Sequence, residues 1–127
     1  MKLSRALTFK TKFVAAAIAS TLTFTGAHAQ ADLVQSTGKV SLLRVHDRGT
    51  KYGPPADQID VEAIVWLNTE PGKAFGFQLR NDENQLVRQG MLDLLRDAFN
   101  NGWTVTIDYN ITPGKKNGVV IRVWLTK

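Results

Sequence analysis

The chain has 127 residues, room for one domain, and carries 16 Lys and Arg against 11 Asp and Glu, a formal charge of +5. It contains no Cys, which excludes disulfides, thiolate metal sites and cysteine nucleophiles. The charge excess is local to the amino end: without Lys2, Arg5, Lys10 and Lys12, 12 basic residues face 11 acidic ones, and a balance of +1 is not the concentrated cationic surface that nucleic-acid phosphates require.

Those four cations form an acid-free basic start, followed by an apolar run over 13–24 diluted by Ser20, Thr21 and Thr23, and by the small-x-small site Ala27-His28-Ala29. Residues 1–29 therefore read as a secretory signal peptide cleaved after Ala29. The apolar run falls short of the roughly 20 residues that span a bilayer, and no other stretch reaches that length. The expected product is exported, periplasmic or secreted, with no transmembrane segment. Residues 30–37 read as a polar, flexible lead-in, and 38–127 as a single domain.

Strand signals open that domain. Residues 38–46, GKVSLLRVH, change phase partway, with Val40 and Leu42 on one face and Leu43 and Val45 on the other, as in a strand that bends or bulges. The stretch 47–60, DRGTKYGPPADQID, is a Gly- and Pro-rich loop, the longest irregular segment and the place most suited to function. A second strand follows over 61–68, with Val61, Ala63, Val65 and Leu67 opposite Glu62, Ile64, Trp66 and Asn68. Glu70-Pro71-Gly72-Lys73 reverses the chain. The third strand, 74–80, turns Phe75, Phe77 and Leu79 inward.

Residues 81–103 carry the one sustained helical pattern. Val87, Met91, Leu94, Leu95 and Ala98 line one face, widened by Leu86, Leu92 and Phe99. Asp82 with Gln85 resembles a capping box, and Asn100-Asn101-Gly102 supplies the stop. Gly90 in mid-helix costs about 1 kcal/mol against Ala, and reads either as a point of close approach or as a tolerated surface glycine. Two strands complete the chain. Residues 103–111 alternate Trp103, Val105, Ile107, Tyr109 and Ile111 with polar residues, and 119–126 place Val119, Ile121, Val123 and Leu125 inward and Val120, Arg122, Trp124 and Thr126 outward. Thr112 to Gly118 form the hairpin loop between them.

The chain is thus mainly β with one α-helix, in the order β-β-β-α-β-β. That is the connectivity of a five-stranded OB-fold barrel with the helix plugging one end. The alternative is a flat five-stranded sheet with the helix across one face, which leaves two edges exposed.

Catalytic and metal-binding constellations are thin. Ser41 and His46 lie five apart on one strand and point to opposite faces, so no Ser-His-Asp relay is expected. His46 with Asp47 lacks further metal ligands, and no Gly-rich phosphate loop precedes the helix. Asp57, Asp60 and Glu62 are the one carboxylate group suited to a hydrolase. The aromatic residues say more: Trp66 and Trp124 fall on the polar phase of their strands and Tyr52 in the long loop, where they can stack on a ligand, bury at an interface, or be covered within a small curved barrel itself. Tyr52, Trp66 and Trp124 are the expected contact residues, with Asp57 and Gln58 as partners for sugar hydroxyls.

The helix phrase MLDLLRDAFNNGWTVTIDY, over 91–109, resembles the corresponding part of the OB-fold B subunits of bacterial A-plus-five-B toxins, in the pertussis-like and subtilase-cytotoxin-like branch. The resemblance covers roughly 76–109. It implies a ring-forming protein that binds host-surface glycans beside a catalytic A subunit. Those B subunits generally carry a disulfide, which this chain cannot form, and no site residue is carried over from them.

The sequence therefore points to an exported, non-catalytic binding module for a glycan or a protein, open to assembly as a homo-oligomer and without cofactor or metal. A single-strand nucleic-acid binder is the alternative that OB-folds with surface aromatics allow. A small carboxylate-dependent hydrolase is the third reading.

Overall fold

The computed structural model describes residues 32–127; the signal-peptide reading of 1–29 and the first two residues of the lead-in lie outside the described residues. The described chain is mainly β, with five strands in one sheet and a single α-helix. The elements are β1 (Asp32–Val45), β2 (Ala63–Leu67), β3 (Phe75–Phe77), α1 (Gln85–Asn101), β4 (Thr104–Ile111) and β5 (Gly118–Thr126). No helix among the described residues is long and apolar enough to cross a membrane.

Hydrogen bonding runs in the order β1-β2-β3-β5-β4 and then from β4 back to β1, so the sheet closes on itself. The β3–β5 pair is parallel and every other pair antiparallel. Each strand has two neighbours, so the flat sheet with free edges is not what forms.

Closure depends on β1 serving two partners. Asp32–Lys39 pairs with β4 and Val40–Val45 with β2, and the register slips by one residue at Ser41, between Val40 and Leu42. The strand bends as expected, but the slip comes one residue earlier than the sequence pattern placed it, so Val40 and Leu42 do not share a face. Val40 and Leu43 pack on the main core, Leu42 on a second cluster, and Val45 is exposed. The stretch 32–37 is strand, which corrects its reading as a loose lead-in. Its polar side chains have cross-strand partners: Gln35 Nε2 donates to Asp108 Oδ1 (3.0 Å), and the Thr37 and Thr106 hydroxyls are 3.0 Å apart.

A second bulge corrects the reading of β5. Tyr109 pairs with Val120 and Asp108 with Arg122, leaving Ile121 as the extra residue. Val119 and Ile121 consequently face outward, 42% and 46% exposed, and Val120 faces the core. Val123, beyond the bulge, keeps its inward position.

The main core is built from Val40, Ala63, Val65, Leu67, Phe75, Phe77, Val105, Ile107, Tyr109, Val120 and Val123. Met91, Leu95 and Ala98 bring α1 onto it, with Leu92 packed alongside. The buried stripe is narrower than the sequence suggests: Leu86, Val87, Leu94 and Phe99 remain exposed, because one end of a closed sheet offers contact to only one side of a helix. Gly90 lies on the exposed side with open space where a Cβ would sit, so it is a surface glycine and not a close approach. The helix is shorter than its pattern. The capping box does not form; Asp82 accepts the Asn84 N–H (2.9 Å) and pairs with Arg88 (3.0 Å), while Asn84 at the N-cap makes no side-chain cap. Gly102 ends the helix as expected, left-handed at φ 65°, and the Trp103 N–H bonds back to the Ala98 carbonyl (3.1 Å).

Candidate functional site

The β1–β2 connection is an ordered flap. Tyr52 and Ile59 exchange backbone hydrogen bonds (Tyr52 N to Ile59 O, 2.9 Å; Ile59 N to Tyr52 O, 2.8 Å) around a 3-10 turn at Pro55–Asp57. Beneath it lies the second cluster, Ile59, Val61, Ile64 and Ala74, with Leu42 and Tyr52 against it. Ile64, on the nominally polar phase of β2, is fully buried because this flap covers it.

The flap is tied to the β4–β5 loop. Asp57 Oδ1 accepts the backbone N–H groups of Lys116 (2.9 Å) and Asn117 (3.0 Å), and Asn117 Nδ2 donates to the Asp57 carbonyl (2.9 Å). Asn117 Oδ1 accepts the Ala74 N–H (3.0 Å), which brings in the β2–β3 turn. Lys115 Nζ adds a bond to the Gln58 carbonyl (3.1 Å). Three connections far apart in sequence are thus locked at one end of the closed sheet.

Between them lies a cleft of about 480 Å³, within the range of roughly 300–1,000 Å³ typical of small-ligand sites. The flap contributes Tyr52, Gly53, Pro54, Ala56 and Asp57, and β2 contributes Trp66. Gly72, Lys73 and Ala74 come from the β2–β3 turn, and Gly114, Lys116 and Asn117 from the β4–β5 loop. Trp66 is 40% exposed, the one residue of β2 not buried, beside the Ser41 bulge whose hydroxyl donates to its carbonyl (3.2 Å). Tyr52 is half-buried, with the Arg44 guanidinium 5.9 Å from its ring centre.

From the cleft wall, a partly buried relay joins three elements. Lys73 Nζ donates to the Tyr109 hydroxyl (2.7 Å), which lies 3.1 Å from Ser36 Oγ, and Ser36 donates to Glu70 Oε1 (2.9 Å). The Lys73 ammonium also sits 4.7 Å from the Tyr109 ring centre and 5.8 Å from that of Phe75.

Of the sequence-derived contact residues, Tyr52, Asp57 and Trp66 meet in the cleft. Gln58 and Trp124 do not line it. Gln58 meets the β4–β5 loop through its carbonyl, and Trp124 lies on β5 opposite Thr106, under the Arg122 guanidinium (5.7 Å). Asp57 Oδ1 is committed to loop backbone, so its first role is to shape the site. Lys73, Lys116 and Asn117 are not among the contacts expected from the sequence; they are brought to the cleft by bonds between the β1–β2, β2–β3 and β4–β5 connections that no single segment reveals.

The groups considered for catalysis are engaged elsewhere. Ser41 bonds the Trp66 carbonyl and His46 Nε2 the Val61 carbonyl (2.6 Å). Glu62 makes a two-pronged pair with Arg80 (2.8 and 3.2 Å), which also reaches Asp60 (2.8 Å). These bonds, the Glu62 one foremost, push the Arg80 pKa further up. Asp57, by contrast, bonds the β4–β5 loop and lines the cleft, where neither Asp60 nor Glu62 joins it. Among the described residues no three His, Asp or Glu side chains group at metal-binding spacing.

The chain matches no protein-family model, and no curated protein is detectably similar to it in sequence. What bears on function is the geometry of the site.

Proposed function

We propose that the chain is an exported, non-catalytic OB-fold binding module whose ligand is a glycan held in the cleft between the β1–β2 and β4–β5 loops. The observation that carries this reading is the convergence of Tyr52 and Trp66 on one open cleft at that end of the sheet. Aromatic faces with polar groups beside them suit sugar rings, which present C–H faces and hydroxyl edges. The strand order and the helix between β3 and β4 support the OB assignment, and OB domains bind oligosaccharides and oligonucleotides through these same two loops. Residues 1–29 support export to the periplasm or beyond. The likeness of 91–109 to toxin B subunits supports a glycan as ligand, and assembly into a homo-oligomer belongs to the same proposal.

A glycan array probed with the chain from Gln30 onward, with Trp66→Ala as control and oligonucleotides as a separate arm, tests the reading. Glycan binding is expected, weakened at least about tenfold by Trp66→Ala, or about 1.4 kcal/mol. Binding to oligonucleotides alone, or glycan binding that Trp66→Ala leaves intact, overturns it. Light scattering on the same sample reports the oligomeric state.

A further inference from the structure

Every ion pair among the described residues is made by an arginine: Arg80, Arg88, Arg96 and Arg122 account for all of them. The lysines at the cleft follow a different pattern. Lys73 and Lys116 line it, and both recur with Lys115 around an adjoining depression that also includes Glu70. None of the three ammonium groups lies within ion-pair distance of a carboxylate among the described residues. The two acids nearby each bond neutral donors through one oxygen, Asp57 the loop N–H groups and Glu70 the Ser36 hydroxyl. Lys73 donates to the Tyr109 hydroxyl and lies near two aromatic rings, and these contacts favour one position of its ammonium group.

We propose that the ligand of this cleft carries a tetrahedral oxyanion, a sulfate or phosphate ester on a sugar, held by Lys73 and Lys116 while the ring lies against Trp66 and Tyr52. The inference rests on the glycan-binding reading above. Lysine is a compact point charge with three rotatable donors, so it sets no planar geometry on its partner, and an ester with three terminal oxygens can accept from two separate ammonium groups at once.

Two measurements test this. On a low-salt array with neutral, uronic-acid, sulfated and phosphorylated glycans, binding is expected to concentrate in the sulfated or phosphorylated classes, and the class preferred identifies the source of the oxyanion. Lys116→Gln, a substitution at an exposed loop position, is expected to weaken binding about tenfold. Roughly 1 M NaCl, with a screening length of about 3 Å, is expected to do the same. Lys73→Met is expected to act likewise, but it also disturbs the Tyr109 relay, so Lys116→Gln carries the test. The second measurement is an NMR titration of the Trp66 indole and the Asn117 amide with inorganic sulfate and phosphate, where saturable shifts in the wild type and their loss in Lys116→Gln are expected. Neutral or uronic glycans bound as well as the esters, with Lys116→Gln without effect, overturn the oxyanion and leave the glycan site standing. No glycan of any class bound overturns both.

Discussion

Asp57→Ala is the sharpest test of how the cleft is held open. The substitution removes an acceptor that takes two backbone N–H groups, from Lys116 at 2.9 Å and Asn117 at 3.0 Å. Hydrogen bonds to an ionised group contribute about 1.5–3 kcal/mol each, and the Lys116 bond is discounted because that residue is exposed, so the expected loss is about 2–3 kcal/mol. For a domain of this size that lowers Tm by about 8–24 °C. Asp57→Asn keeps an oxygen able to accept both bonds and should lose well under half as much. Thermal unfolding followed by circular dichroism measures the shifts, and amide hydrogen exchange supplies a local readout: the Lys116 and Asn117 amides should lose protection in Asp57→Ala while β4 keeps its own. Adding Asn117→Ala should cost less than it does alone, because both side chains serve the same link. A Tm within about 2 °C of wild type, with both amides still protected, would refute the view that this carboxylate joins the two loops.

Other consequences follow from packing. Gly118→Ala places a methyl group against the ring of Tyr109, which is fully buried and cannot step aside, so a loss of about 1–3 kcal/mol is expected in urea unfolding. Arg80→Met leaves the Glu62 carboxylate, 4% exposed, without its guanidinium; Tm should fall, and adding Glu62→Gln should restore part of the loss because the buried charge is then gone. A double variant less stable than Arg80→Met would show that the pair is not what the charge needs.

The fold was legible in the sequence where periodicity was strong. The helix showed itself through Met91, Leu95 and Ala98, the order of elements along the chain through the turns, and the presence of a bend in β1, though not its position at Ser41, through the change of phase along 40–45. Two features were not legible. Residues 32–37 are polar, and nothing local distinguishes side chains that find cross-strand partners, as Gln35 and Thr37 do, from side chains left in water. The alternation in β5 fits a regular strand, and the bulge at Ile121 is decided by how that strand meets Tyr109 and Asp108 on its neighbour, which a single strand cannot reveal.

The site divides along the same line. Tyr52 and Trp66 stand out in sequence because a large aromatic is anomalous in a polar loop or on a polar phase. Trp124 carries the same signal yet lies away from the cleft, so the anomaly marks exposure to something and not the place where it happens. Place comes from contacts made over long sequence separations: Asp57 meets Asn117, and Asn117 meets Ala74. Those bonds turn the longest loop from a connection into a wall, and they fix Lys73 and Lys116 beside the aromatics. A loop of this composition that was not tied down would present the same residues without a cavity. The test at Asp57 therefore bears on function as well as stability, because ligand binding should weaken with the loss of the link even though Trp66, Lys73 and Lys116 are all still present.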